Sequence, residues 1–410
     1  MSANSLTLAR ESVGLATRTL LRMLERLQCG KLHLTLPDRV TRVFSGAAPG
    51  PEVWLDIRDW KAIGVMLRKS EIGVAECWRD GTIATPDMTS LLVLCAENQK
   101  ALEKVFYGNP LVALGLRIAH ALRPNTRSGA KKNIHAHYDL GNDFYATWLD
   151  RTMTYSSAIF PAHPARAAAP AMTLEAAQDA KYERILRTLD VDASHRVLEI
   201  GCGWGAFAEY AARTRGCRVT GITISRAQLG YAQERIRRAG LEALVDLRFC
   251  DYRDLAGEYD RIVSIEMVEA VGERYWSQYF ATVRDRLKPG GRACIQSIVI
   301  AADAFERYRT TSDFIREYIF PGGMLPSVER FVQEARAAGL AAREPFLFGK
   351  DYAETVRRWR SAVEAHEAQV RLLGFDDAFL AIWRFYLHYC EAGFETGRVD
   401  VMQVELARPG

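Results

Sequence analysis

A chain of 410 residues exceeds what one hydrophobic core usually supports, so two domains are expected. Its formal net charge of +4 is too small for a nucleic-acid binder, and its 49% apolar and 25% charged residues are those of a globular chain. Eight dispersed cysteines with no C-x-x-C pair exclude a disulfide scaffold and that kind of zinc site; they suit a reducing cytoplasm, and no metal is expected.

At the start, Leu6, Val13, Leu20, Leu24 and Leu27 alternate with Arg10, Glu11, Arg18, Arg22, Glu25 and Arg26. This spacing predicts an amphipathic helix and interrupts any signal-peptide apolar run. No stretch reaches the roughly 18 apolar residues of a membrane-spanning helix. Leu32-His33-Leu34-Thr35-Leu36 alternates and stops at Pro37-Asp38, and Val53-Trp54-Leu55-Asp56-Ile57 alternates likewise, so both read as strands. Helices are expected around Trp60–Lys69 and Met88–Gln99. Residues 1–120 thus form a small α+β unit without a catalytic cluster.

Residues 121–136 read as a linker. Arg117, Arg123, Arg127, Lys131 and Lys132 occur in and beside it with no intervening acid. The run is either a solvated connector or a patch for anionic lipid headgroups, each basic residue contributing about 1 kcal/mol near such a surface. From Thr173 the rhythm becomes alternating helix and strand. Thr173 is placed to cap a helix whose Tyr182, Ile185, Leu186 and Leu189 share one face. Strands are expected at 196–200, 218–222, 245–250, 261–265 and 292–300, with Ser225 capping the helix after the second. A strand candidate at 345–348, a helical stretch at 352–394 and a last strand at 401–406 follow. This order implies a doubly wound, mostly parallel sheet with right-handed crossovers.

The densest chemical signal is Val197-Leu198-Glu199-Ile200-Gly201-Cys202-Gly203-Trp204-Gly205. A buried strand delivers a carboxylate and then three alternating glycines, at the sheet end where ligands of such folds sit. The spacing is not the G-x-G-x-x-G of dinucleotide folds, and the second strand ends Gly221-Ile222-Thr223-Ile224-Ser225 without an acid. A methyl-donor site is therefore favoured over a nicotinamide site. The aromatic segment 301–394, with Phe305, Tyr308, Phe314, Tyr318, Phe320, Trp359, Phe385, Tyr386 and Tyr389, reads residue by residue as core, and collectively as a roof for an acyl chain.

Five further strings stand in order: His137-Tyr138-Asp139-Leu140-Gly141-Asn142-Asp143-Phe144-Tyr145, Met153-Thr154-Tyr155-Ser156-Ser157-Ala158, Cys250-Asp251-Tyr252-Arg253-Asp254, Ser264-Ile265-Glu266-Met267-Val268-Glu269-Ala270-Val271-Gly272, and Tyr318-Ile319-Phe320-Pro321-Gly322-Gly323-Met324-Leu325-Pro326-Ser327. Together with the glycine loop they resemble the cyclopropane fatty acid synthase family over roughly residues 30–408. The resemblance implies a class I methyltransferase-like, seven-stranded sheet with a helical insertion, at residues 137–410. It also implies that residues 1–120 are a lipid-engaging, dimerising domain. The implied reaction moves a one-carbon unit from S-adenosylmethionine to the double bond of an unsaturated acyl chain in a membrane phospholipid. The implied setting is the inner face of the cytoplasmic membrane, peripherally bound.

By matching position, Tyr155 and Ser156 would touch the donor's methionine portion, and Gly201 and Gly203 would cradle it, while the Glu199 carboxylate at the loop can accept hydrogen bonds from the loop and the ligand. Thr223 and Gln228 would lie by the ribose, Asp251 and Tyr252 by the adenine, and Glu266 would close the pocket. Family members hold a bicarbonate ion by a glutamate, a histidine, a tyrosine and a backbone group; those positions read Glu269, Gln296, Tyr352 and Ile298. A cysteine near the methyl in many members reads Ser157. The Ser157 and Gln296 departures resemble a plant-like branch and relatives that install mid-chain methyl or methylene branches. A bicarbonate held by Glu269, Gln296 and Tyr352 is the base expected to deprotonate the carbocation; Gln296 cannot carry a positive charge at neutral pH, so Glu269 itself is the alternative base if ion binding is lost.

Outside the resemblance, Glu269 reads as a capping or salt-bridging carboxylate, Tyr352 as a packed aromatic and Ser157 as a space-filler. Three functions follow: cyclopropane formation, a methylene or methyl branch passed to a reductase, and a lipid-binding protein that has lost catalysis. Retention of Glu269, Tyr352 and the donor loop favours an enzyme. A nucleic-acid base methyltransferase is disfavoured, because no N/D-P-P-Y/W string follows the fourth strand.

Overall fold

The computed structural model describes residues 14–106, 140–160 and 172–410; the basic segment 121–136, Leu6 and Val13 lie outside them. The chain forms two compact units. In the first, β1 (Cys29–Thr35) pairs antiparallel with β2 (Thr41–Ser45) and parallel with β3 (Ala48–Ile57), which pairs with β4 (Ile83–Ala84). The alternation in β1 buries Leu32 and Leu34 and turns His33 outward. His33 stands in register with Val43 and Trp54 and stacks on the Trp54 ring at 4.9 Å, while Val43 and Trp54 remain about half exposed.

Segments Thr311–Tyr318 and Phe375–Thr396 also belong to this first unit. The sequence reading had put both in the second domain. Helix Asp377–Glu395 packs on helix Met88–Glu97, where the Thr89 hydroxyl lies 2.7 Å from His388 Nδ1. Phe314 meets Phe385 edge-on at 4.7 Å. Phe314, Tyr318, Phe385, Tyr386 and Tyr389 are therefore part of the first unit, and Phe305, Tyr308, Phe320 and Trp359 part of the second. Amphipathicity reveals that such a helix has a buried face, but not which distant element covers it.

The second unit carries the sheet β10-β12-β9-β8-β5-β6-β7, with β11 added against β12. Its strands are β5 (Arg196–Ile200), β6 (Arg218–Thr223), β7 (Val245–Phe249), β8 (Tyr259–Ile265), β9 (Leu287–Ile300), β10 (Ala341–Ala342), β11 (Phe346–Leu347) and β12 (Val399–Ala407). β5 to β9 run parallel, and β12 returns antiparallel beside β9. This is the expected class I methyltransferase architecture, with β11 at the expected 345–348 and β10 as an additional short strand. Successive side chains of β5 divide between two cores. Val197 joins Val219, Val263 and Ala208 on one face, and Leu198 and Ile200 join Ile262, Phe280 and Phe331 on the other. Thr173 and Ser225 cap their helices as expected, accepting from the Ala176 and Gln228 N–H groups. No helix among the described residues is long and apolar enough to cross a membrane.

Candidate active site

The glycine loop leaves β5 where the sheet order reverses, with β6 on one side and β8 on the other. Gly201, Gly203 and Gly205 all have positive φ, at 87°, 50° and 82°. A Cβ on Gly205 would stand 3.0 Å from Ala232 Cβ, so that glycine serves helix packing. A Cβ on Gly203 would meet nothing within 4 Å, so there the bare backbone faces open space in which a ligand fits. Glu199, at the base of the loop, is 3% exposed, and its Oε2 has no hydrogen-bond partner. Burial lifts its carboxyl to about 8, against the pull of Lys181 and the Ala208 N–H. A buried acceptor with a spare oxygen beside an open glycine suits the ammonium group of S-adenosylmethionine.

Lys181 was not singled out in the sequence. It is 0% exposed, and its Nζ donates at 2.6 Å to both Ser156 Oγ and Gln178 Oε1. Burial lowers its ammonium to about 7, opposed by the charges of Glu266, Asp150 and Glu199. Its signal was a lysine on the helix face that also carries Tyr182 and Ile185, a place where a basic residue needs a partner. Lys181 fixes the Ser156 hydroxyl. Tyr155 packs against Tyr145, Trp148 and Trp359 at 5.3–5.5 Å.

Thr223 and Gln228 stand together at the end of β6, the hydroxyl donating to Gln228 Oε1 at 3.3 Å. Asp251 caps the turn Tyr252–Asp254, and both its oxygens take bonds from the Arg253 guanidinium. Tyr252 leans edge-on against Tyr279. These four residues lie at or just past the ends of β6 and β7. The Asp251 carboxylate is shared with Arg253, which the sequence did not reveal.

Two carboxylates stand just past β8, each bonded to a residue of β9. Glu266, just past β8, adopts φ 51°, a conformation uncommon for any residue with a side chain. Its Oε1 accepts from the Ser157 N–H at 2.9 Å and Gln296 Nε2 at 2.7 Å, and its Oε2 from the Tyr352 hydroxyl at 2.6 Å. Burial still pushes its carboxyl up from the usual range, and these donors oppose the rise. Glu269 accepts from the Ile298 N–H with Oε1, while its buried Oε2 has no partner. Burial and then the neighbouring Glu266 charge lift Glu269 to about 8.

All predicted site residues thus lie in the second unit, but the bonding differs from the expectation for bicarbonate. Tyr352 and Gln296 hold Glu266, and Ile298 holds Glu269, so the nominated holders of the ion are already engaged with protein carboxylates. Ser157 contributes its N–H; its hydroxyl donates to the Ala158 carbonyl. Gln296 also accepts from Gln403 Nε2 at 2.9 Å, and Gln403 Oε1 accepts from Arg184, so Gln403 and Arg184 join the site unforeseen. Among the described residues no cluster of metal-ligating side chains occurs.

Comparison with known proteins agrees with this fold and loop. Residues 125–404 match the family model described as mycolic acid cyclopropane synthetase. The chain is 37% identical over 355 residues to a tuberculostearic acid methyltransferase of Mycobacterium tuberculosis, covering 84% of this chain and 80% of that protein. It is 33% identical over 377 residues to the cyclopropane-fatty-acyl-phospholipid synthase of Escherichia coli, covering 91% and 92%. The crystal structure of the mycolic acid cyclopropane synthase CmaA1 with SAH and CTAB is similar at TM-score 0.62 and 29% identity, over 68% of this chain and 98% of that one. With that coverage and this donor loop, the chain belongs to the mycolic acid cyclopropane synthetase family and is a cyclopropane-fatty-acyl-phospholipid synthase-like methyltransferase.

Proposed function

We propose that this enzyme transfers the methyl carbon of S-adenosylmethionine to the double bond of an unsaturated acyl chain in a membrane phospholipid. The observation that carries this reading is the partly buried Glu266–Glu269 pair just past β8, hydrogen-bonded to Gln296 and Ile298 of β9. Bound at the glycine loop, the donor supplies an electrophilic methyl group. An alkene that takes up this carbon becomes cationic at the neighbouring carbon. Two partly buried carboxylates stabilise such a cation more strongly than fully exposed ones, because less solvent screens them. Glu269 Oε2, buried and without a partner, is the group that takes the proton from the newly attached carbon.

Release of that proton closes a cyclopropane ring if the C–H electron pair bonds to the cationic neighbouring carbon; it leaves a methylene branch if a hydride first shifts from the methyl-bearing carbon to that neighbour, so that the C–H pair then forms a double bond to the branch carbon. The ring is the first reading. The open-chain product is the second, favoured by Ser157 and Gln296 and by a relative named as a tuberculostearic acid methyltransferase. A reductase partner belongs to that second reading only. Peripheral binding to an anionic cytoplasmic membrane face completes the proposal, supported by half-exposed Val43 and Trp54 on the first unit. So does a homodimer, which the family resemblance alone supports.

The test incubates full-length protein with S-adenosylmethionine and vesicles of unsaturated phospholipid, then identifies acyl products by mass spectrometry. A mass gain of one methylene on unsaturated chains is expected, and ring and branch separate by fragmentation. Lipid binding without any transfer would leave only the non-catalytic alternative.

A further inference from the structure

We propose that the Glu266 carboxylate takes the anion seat that the family resemblance assigns to bicarbonate, so that this chain carries its own fixed anion beside the reacting carbon. The inference rests on the function proposed above and deepens it. The Tyr352 hydroxyl has one hydrogen, and Glu266 Oε2 receives it. The Ile298 N–H is likewise taken, by Glu269. Gln296 turns its amide nitrogen to Glu266 Oε1, beside the Ser157 N–H. Of the four groups nominated to hold a bicarbonate, Gln296, Tyr352 and Ile298 are therefore spent on carboxylates of the chain, and the fourth, Glu269, is itself a carboxylate.

The orientation of Gln296 is imposed from outside the site. Arg184 only donates hydrogen bonds and an ionised Glu266 only accepts them. Between them, Gln403 and Gln296 must both run in one direction, each passing its amide N–H toward Glu266. Gln296 is 0% exposed and Gln403 2%, so water does not compete for these bonds. The chain of amides ends on Glu266 and strengthens its hold on negative charge. A bicarbonate entering here would meet two carboxylates, and Gln296 offers no positive charge to offset the repulsion.

The backbone supports the same assignment. Glu266 sits at φ 51°, where glycine would be unstrained and a glutamate is not. Glu266 forms no covalent bond and keeps its proton count throughout. The proton released by the substrate goes to Glu269 Oε2, and the C–H electron pair stays on the product. Arg184 and Gln403 act through Gln296 and are positioning residues.

The test uses the full-length wild type and Glu266→Gly, which removes the carboxylate and suits the positive φ. NMR line broadening of isotopically labelled bicarbonate reads anion binding in the presence of S-adenosylhomocysteine. Turnover is then measured in CO2-depleted buffer with and without bicarbonate. The wild type is expected to leave the bicarbonate signal sharp and to turn over equally in both buffers. Glu266→Gly is expected to lose about 10²–10³ in turnover, the scale for one preorganised electrostatic group, to broaden the signal, and to recover with added bicarbonate or formate. Bicarbonate binding by the wild type, or wild-type turnover that requires it, would overturn the proposal even if Glu266→Gly failed to fold. A wild type inactive on every acyl lipid would remove the proposed function, while the NMR result would still decide the occupant of the anion seat.

Discussion

Replacing Glu269 by glutamine tests the central assignment through two independent readouts. One carboxylate oxygen is buried and has no partner, and the carboxyl is lifted from 4.5 to about 8. A raised carboxyl means that between those values the folded chain holds a proton which the unfolded chain has released. Its contribution to stability is fully present below about pH 4.5 and is lost as pH rises through about 8. One pH unit in this window corresponds to about 1.4 kcal/mol, so from pH 6 to 8 the wild type should lose roughly 2–3 kcal/mol through this residue. Glu269→Gln keeps an acceptor for the Ile298 N–H but removes the proton, so its stability should fall less over the same interval. Urea unfolding at pH 6, 7 and 8, followed by tryptophan fluorescence, gives the difference between variant and wild type, in which contributions from Glu199 and Lys181 cancel. Turnover of the variant should drop by about 10²–10⁴, the range for a positioned base, with S-adenosylhomocysteine affinity preserved. Wild-type turnover should itself rise as Glu269 ionises toward pH 8. Parallel stability profiles, or a variant that turns over like the wild type, would refute the assignment.

Other expectations follow from the donor pocket and its supports. Lys181→Met should weaken S-adenosylhomocysteine binding by calorimetry, because Ser156 loses the group that orients it. The lowered Lys181 ammonium contributes stability that grows between about pH 7 and 10.5, and the variant should lack this rise in unfolding experiments. Gly203→Ala should cost only about 1 kcal/mol in thermal unfolding yet abolish donor binding, because its φ is positive and the new methyl enters open space. Gly205→Ala should cost more, since its methyl also presses on Ala232. Gln403→Leu should lower kcat while leaving the KM for S-adenosylmethionine unchanged, because it frees Gln296 without touching the glycine loop.

What was legible in the sequence is what repeats locally. The strands β5 to β9 announce themselves by apolar runs between turn residues, and Thr173 and Ser225 by the hydroxyl before a helix. The glycine loop is legible because positive φ at alternate residues demands glycine. Other elements carry too little local pattern: β4 and β10 are two residues each, and β2 is mostly exposed. The candidate site was legible as a set of residues and not as a set of bonds. Glu266 was read as closing the donor pocket, yet it gathers donors from Ser157, Gln296 and Tyr352, up to 109 residues away in sequence. Arg184 and Gln403 were invisible for the same reason. Their roles come from the antiparallel pairing of β12 with β9, which sets Gln403 opposite Gln296.

The helix Asp377–Glu395 that completes the first unit has a consequence for synthesis. A nascent chain that has delivered its first four strands still lacks the surface that seats against Met88–Glu97. Thr89 then awaits a partner made nearly 300 residues later, the sequence separation between Thr89 and His388 being 299. The amino-terminal unit is thus completed only after most of the second unit has been made, with β12 still to come. Protein of this design passes through a long interval with an open apolar face. A stop codon close to the end of the gene would therefore damage the beginning of the protein.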